Sequence, residues 1–559
     1  MMRHLLAALA LFLLLPVAIA HAAGGTVSSA DPRVSAAGQE ILRHGGSATD
    51  AAMAMMLALT VVEPQSSGIG GGGFLLHHDG QSGLIDTIDG RETAPASATP
   101  ALFLDSSGQP LPFPLAFPGG KSVGVPGNVA LMKLAHDKWG KLPWAELFQP
   151  AIRLARDGFA VSKPLAAALG RMAPLWTQDF PEARALYWVD GKPAPEGTTI
   201  RNPDLADFLN KIAARGPDAF YTGAAKSISA AVARSSRNPT QITPEDLAAY
   251  RAKERPAVCS PYRKYTICSM GPPSSGATTM LQILGMLERF DLKKLGKDSP
   301  LSWHLIGEAM RLAYADRDVY LGDRDFLAVP VAGLIDPAYM RRRSALISPV
   351  HALGRYEAGT PPGAPARTPV TAQEVPGTTH FIAVDGSGDI VSMTSTVEGA
   401  FGSQLLVHGF FLNNELTDFD FAPEKDGAPV ANRVEPGKRP RSSMAPTIVY
   451  DERGKPVFTV GAAGGATIIM QVTKALIAHI DWGLDARDAL GLGLVFFNRD
   501  GLVLEQDTAL EGMKPALEGL GHKVSIGKLP LKANAAERLP DGSWRGAADP
   551  RSIGVALND

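Results

Sequence analysis

The chain has 559 residues, with 54 basic against 56 acidic side chains and a formal net charge of −2. That balance gives no electrostatic basis for holding nucleic acid or an anionic membrane surface, and the length allows one large core or several domains. The 58 Gly and 44 Pro are scattered among periodic segments, so tight turns abound without a low-complexity tract or an internal repeat.

At the amino terminus, Arg3 and His4 precede an apolar run from Leu5 to Ala20 and then small residues that suit a signal peptidase. The run is too short for a membrane span and lacks the far-side flank of one, so residues 1–22 are read as a cleaved export signal. No Cys follows to carry a lipid. The mature chain is therefore expected to be soluble, periplasmic or secreted, and without a membrane anchor. Helices are predicted over 35–43, 48–62, 126–138, 144–156, 276–290, 301–320 and 468–480. Strands are predicted over 74–78, 84–88, 379–384, 390–396, 406–412, 447–450, 457–461 and 552–556. Antiparallel strands covered by helices on both faces make the expected class α+β.

Between helix 48–62 and strand 74–78 lies a run of glycines, of which Gly68, Gly70 and Gly73 match the spacing of a dinucleotide fingerprint. That fingerprint needs a strand before it and a helix after it, and here the order is reversed. Close packing is the better reading, and neither a cofactor nor a metal is expected. Arg91 follows strand 84–88; its planar fork suits a bidentate grip on a carboxylate, although on sequence alone an exposed Arg paired with Glu92 is the favoured reading. Cys259 and Cys268 flank a two-residue turn at Arg263-Lys264 that sets 262 opposite 265 and 259 opposite 268. Such cross-strand neighbours can be bridged in an exported protein, or can simply be two small buried side chains.

The one linker-like stretch, 358–375, is rich in Gly and Pro and runs into Val375-Pro376-Gly377-Thr378. There a loop becomes a strand that alternates with period two and is expected to bury one face. Glycine offers no Cβ to obstruct a hydroxyl, so Thr378 Oγ can reach the Gly377 carbonyl, move the acyl group from nitrogen to oxygen and release a new amino terminus. The freed amine can then serve as general base for its own hydroxyl. An ordinary loop followed by a hairpin is the plain alternative. Thr396 ends the next strand, where its hydroxyl can hold that of Thr378. Glu398, Glu415 and Asp418 are acidic residues on loops expected to converge there; carboxylates sharing one pocket call for a cation. Ser442-Ser443 offer two hydroxyls after a basic turn, and Gly464-Gly465 offer unhindered N–H groups before helix 468–480, as an oxyanion hole requires. Each of these also has a structural reading as a solvated loop or a turn.

The ordered blocks EPQSSGIGGGGFLL, DGRETAPA, LPWAELFQPAIRLARDGF, MGPPSSGATT, GTTHFIAVD, VSMTSTVEGAFGS, FFLNNELTDF, KRPRSSMAPTIV and VGAAGGATI together resemble the γ-glutamyltranspeptidase family over essentially everything after residue 23. The resemblance implies the four-layer αββα sandwich of N-terminal nucleophile hydrolases. It also implies self-cleavage between Gly377 and Thr378, giving a large subunit 23–377 and a small subunit 378–559 that form one intertwined domain. Thr378 is then the nucleophile, Thr396 its support, and Gly464 and Gly465 the oxyanion hole. Arg91, Ser442 and Ser443 hold the substrate α-carboxylate, and Glu398, Glu415 and Asp418 its α-ammonium. The implied partners are γ-glutamyl substrates such as glutathione, with water, amino acids or peptides as acceptors. Glu398 stands where many members carry Asn, and Arg441 where several carry Leu. The segment 419–441 contains no Tyr or Trp, so an aromatic lid is not expected and the cleft is expected to be open. Two other readings are a glutaryl or cephalosporin acylase of the same fold, and an unprocessed protein that binds γ-glutamyl peptides.

Overall fold

The computed structural model describes residues 24–366, 377–498 and 501–559. The predicted export signal, residues 367–376 of the linker, and with them Val375 and Pro376, lie outside the described residues. Two antiparallel sheets form the centre. The larger has seven strands in the order Val555–Asn558, Thr26–Ser29, Thr378–Val384, Ile390–Thr396, Gly72–His78, Ile85–Asp89 and Lys253–Arg255. The smaller has six, in the order Trp544–Ala548, Lys532–Arg538, Pro456–Ala463, Thr447–Tyr450, Tyr265–Ser269 and Val258–Tyr262. Segments from both sides of residue 377 contribute to each sheet, interleaved in the larger and as two blocks in the smaller.

Helix Ala48–Val62 covers the outer face of the seven-stranded sheet. Ser47 and Asp50 close its amino end with a reciprocal capping box, and all fifteen of its residues are buried. A helix apolar on every side has to lie between other layers. Helices Gly276–Leu287 and Ile468–Ile480 cover the six-stranded sheet on its far side, and the two sheets meet through strands Thr378–Val384 and Pro456–Ala463. The architecture is therefore helix, sheet, sheet, helix, as expected.

The strand from Thr378 was expected to bury one face and buries both, because helices and the second sheet enclose it. Phe381 and Ala383 join the core under helix Ala48–Val62, while Ile382 and Val384 join the core between the sheets. The alternation places Thr378 with His380 on the inter-sheet face, where the His380 ring lies so close to Gly461 that a Cβ there would stand 2.3 Å from it. The predicted strand 406–412 is a small hairpin instead. Leu406–Val407 pairs with Phe410–Phe411 around His408 and Gly409, both at positive φ, a two-residue turn that the apolar run concealed.

The hairpin Val258–Tyr262/Tyr265–Ser269 has the predicted register, with Cys268 opposite Cys259, and a disulfide joins the two.

Candidate active site

Strand pairing puts Thr378 opposite Thr396, and Thr396 opposite Gly72, in one row across the middle of the seven-stranded sheet. The glycine run before that row is a packing device. A Cβ on Gly71 would stand 1.9 Å from the Thr396 carbonyl oxygen, one on Gly70 2.0 Å from that of Phe411, and one on Gly72 would meet the Glu92 carboxylate at 2.4 Å. Only glycine lets the loop pass so close to both carbonyls and the buried acid.

In the continuous chain, Thr378 Oγ1 lies 3.4 Å from Thr396 Oγ1, and the Thr396 hydroxyl donates to the Gly377 carbonyl at 2.8 Å. Glu398 N–H donates to the same Thr396 oxygen at 2.7 Å, which fixes the rotamer. One hydroxyl thus donates to the Gly377 carbonyl and contacts the hydroxyl of Thr378. Gly377 itself sits against Glu398, leaving no space for a side chain.

Thr378, Thr396, Arg91, Glu398, Glu415, Asp418, Ser442, Ser443 and Gly465 line one cleft, together with Met444 and Ile468. Gly464 is outside that lining, next to Gly465; a Cβ on it would strike the Pro530 carbonyl at 2.2 Å, and its φ of 134° is open to glycine alone. Gly465 begins the turn that leads into helix Ile468–Ile480.

Arg91 is 1% exposed, not a surface residue, and its partners are Glu415 and Asp418. Its Nε also donates to the Pro440 carbonyl at 3.1 Å, and its Nη2 to that of Arg441 at 3.0 Å. In this form the cation that joins the carboxylates is therefore the protein's own. Beneath Arg91, Asp89 accepts from the Arg91 amide at 2.8 Å and from Arg439 at 2.5 Å and Arg255 at 2.7 Å, anchoring the loop by charge. Tyr250 OH donates to the Arg91 carbonyl at 2.7 Å.

Glu92, read from the sequence only as a surface partner of Arg91, is buried directly behind this group, and neither of its oxygens has a hydrogen-bond donor among the described residues. Burial pushes its carboxyl up to about 8, against the pull of the nearby Arg91. Burial also pushes Glu415 well above the ordinary carboxyl range, again opposed by Arg91 and reinforced by Glu92. Two acids buried beside one another favour sharing a proton. Asn413 and Asn414 were missed. Asn413 bridges Gly70 and Gly124, while Asn414 donates to Glu398 at 2.5 Å and accepts from Gly399 N–H at 2.8 Å. Both stand in the quoted block FFLNNELTDF, but Asn in a loop carries no signal of its own.

Ser442 and Ser443 are held by residues that precede Gly377 in the chain. Ser275 donates to the Ser442 carbonyl through its hydroxyl at 2.6 Å and its amide at 2.7 Å, and Arg317 Nη2 donates to Ser443 Oγ at 2.9 Å.

Residues 34–558 match the family described as Gamma-glutamyltranspeptidase. The glutathione hydrolase proenzyme of Bacillus subtilis strain 168 is 37% identical, covering 95% of this chain and 91% of that one. The glutathione hydrolase proenzyme of Escherichia coli K12 is 38% identical, covering 95% and 90%. Among solved structures, the cephalosporin acylase of Bacillus halodurans superimposes with a TM-score of 0.85 at 28% identity, covering 96% of both chains. A threonine pair beside a charged cleft and a near full-length match agree: the chain belongs to the γ-glutamyltranspeptidase family.

Proposed function

We propose that the protein is an exported, self-processing γ-glutamyl hydrolase and transferase that acts on γ-glutamyl amides such as glutathione. The hydrogen-bonded series from Thr378 to Thr396 to the Gly377 carbonyl carries this reading. In processing, Thr378 Oγ bonds to the Gly377 carbonyl carbon as the Gly377–Thr378 C–N bond breaks. Water then cleaves the resulting ester, leaving a carboxylate on Gly377 and an amine on Thr378. In turnover the amine takes the Thr378 proton, Oγ attacks the γ-carbonyl, and the leaving amine departs with a proton. Water, or the amino group of an amino acid or peptide, resolves the γ-glutamyl ester, and Gly464 and Gly465 are assigned to the oxyanion.

A γ-glutamyl head is a zwitterion. Its ammonium suits Glu398, Glu415 and Asp418, and its carboxylate suits Arg91 with Ser442 and Ser443, so the net charge it brings is nil. The likeness to a cephalosporin acylase supports one competitor, an amide lacking the ammonium; the buried acids favour the γ-glutamyl substrate. Purified protein run on a denaturing gel and assayed with a γ-glutamyl anilide tests the proposal: two fragments and turnover are expected, and a single inactive band would overturn it.

A further inference from the structure

Gly464 and Gly465 are both buried, and no group among the described residues accepts either amide hydrogen. Buried amides without an acceptor are rare and suit an incoming anionic oxygen. Glycine, however, lets the backbone turn freely, and these two sit at φ of 134° and 60°. Something outside the pair has to fix which way the two hydrogens point.

A peptide group is planar and trans, so holding its carbonyl oxygen fixes the direction of the N–H on its far side. The Gly464 N–H shares a peptide with the Ala463 carbonyl, and the Gly465 N–H shares one with the Gly464 carbonyl. Gln471, in helix Ile468–Ile480 and 2% exposed, donates from Nε2 to the Ala463 carbonyl at 2.6 Å and to Thr467 Oγ1 at 3.1 Å. Thr467 spends its own hydroxyl hydrogen on the Gly464 carbonyl at 2.9 Å, and that carbonyl also accepts from the Thr467 amide at 3.3 Å. The Lys532 N–H donates to Gln471 Oε1 at 3.1 Å, so the two ends of the side-chain amide cannot be exchanged: one accepts and the other donates. Both side chains press on Gly464, where a Cβ would stand 2.6 Å from Thr467 Oγ1 and 2.9 Å from Gln471 Nε2. The longer approaches to the Pro530 carbonyl, 3.3 Å from Thr467 Oγ1 and 3.5 Å from Gln471 Nε2, compete weakly.

Resting on the assignment of Gly464 and Gly465 to the oxyanion in the γ-glutamyl reading above, we propose that Gln471 is a positioning residue that aims both amide hydrogens, one through the Ala463 carbonyl and the other through Thr467. Gln471 does not line the cleft. Its effect belongs to the stage at which negative charge develops on the γ-carbonyl oxygen, and binding of the γ-glutamyl head should not depend on it.

The test uses processed enzyme, a γ-glutamyl anilide as donor, and norvaline as a competing ligand that presents the same α-ammonium and α-carboxylate but has no γ-carbonyl. Gln471→Met keeps the length of the side chain and removes its donors. In this variant kcat on the anilide should fall about 10- to 100-fold, while the inhibition constant of norvaline moves about threefold or less. Thr467→Val should show the same kind of loss, and Thr467→Ser, which keeps the hydroxyl, should stay within about threefold of the unmutated rate. Adding Thr467→Val to Gln471→Met should cost less than the product of the two single effects, because the two side chains act on one turn. Norvaline binding that weakens as much as kcat falls, a fully additive double variant, or a Gln471→Met enzyme within about threefold of the unmutated rate would overturn the proposal. If Gln471→Met does not process, the two Thr467 variants decide: loss with Val and recovery with Ser support it, and equal rates overturn it. Unmutated enzyme that does not turn over the anilide would instead overturn the functional reading on which it rests.

Discussion

At Gly377 there is no room for a side chain: a Cβ would stand 1.8 Å from the Glu398 carbonyl oxygen, on backbone that Thr396 holds at the Glu398 N–H and Asn414 at the Gly399 N–H. Gly377→Ala must therefore push the scissile carbonyl away from the Thr396 hydroxyl. Self-cleavage should slow by about 10²-fold or more in a time course on a denaturing gel, the usual effect of misplacing a reacting group by an ångström. Cleavage at the normal rate would mean that this carbonyl is not held by the contacts described. Glu92 gives a second expectation. Burial pushes its carboxyl up to about 8, so the folded chain holds the proton more tightly than the unfolded one. The stability this gives is complete below the unfolded carboxyl value of ~4.3 and is lost as pH rises through the folded value. Glu92→Gln, uncharged throughout, should gain in Tm on the unmutated protein as pH rises from about 5 to about 8. A Tm difference that stays flat over that range would show Glu92 ionised throughout. Thr378 and Thr396 were legible as candidates because loop, strand and hydroxyl coincide in the sequence. Glu92 was not, since a Glu beside an Arg reads as a solvated pair until burial is known.

Elements with strong local signals could be read directly. Helix Ala48–Val62 has its capping box and unbroken apolar run, and helix Ile468–Ile480 follows its glycine pair. Strands Thr26–Ser29, Lys532–Arg538 and Trp544–Ala548 were missed. The second of these, KANAAER, has no β-branched or aromatic residue, and its strand character comes from pairing with Pro456–Ala463 and Trp544–Ala548. The hairpin at Cys259 was legible because both the turn and the spacing are local. Its disulfide closes a short loop, so replacing both cysteines by Ser should cost about 3 kcal/mol or less in denaturant unfolding. The unfolded, unreduced protein should show no titratable thiol, and two thiols would contradict the pairing.

Over the whole molecule, strands from either side of residue 377 interleave in the seven-stranded sheet and share the six-stranded one, so neither portion owns a core and a cut chain is expected to stay assembled. That interleaving was legible only through the family resemblance, since strand order depends on pairing between residues hundreds of positions apart. The same assembly gathers Glu398, Glu415 and Asp418 into one cleft, where the proposed function places the choice of substrate. A donor without an α-ammonium forgoes the charge-assisted bonds that Glu398, Glu415 and Asp418 are proposed to give it. γ-Glutamyl anilides should therefore exceed glutaryl anilides by at least ~10³-fold in kcat/KM, and Asp418→Asn should narrow that ratio mainly by losing the γ-glutamyl substrate. Comparable rates on the two would favour the acylase reading.

The central claim is that Thr378 cuts its own chain and becomes the terminal nucleophile. Intact mass and amino-terminal sequencing of purified protein, beside Thr378→Ala made the same way, test it most directly. The unmutated protein should yield a small fragment beginning at Thr378, and Thr378→Ala should remain one inactive chain. A Thr378→Ala chain cut between residues 377 and 378 would contradict the account.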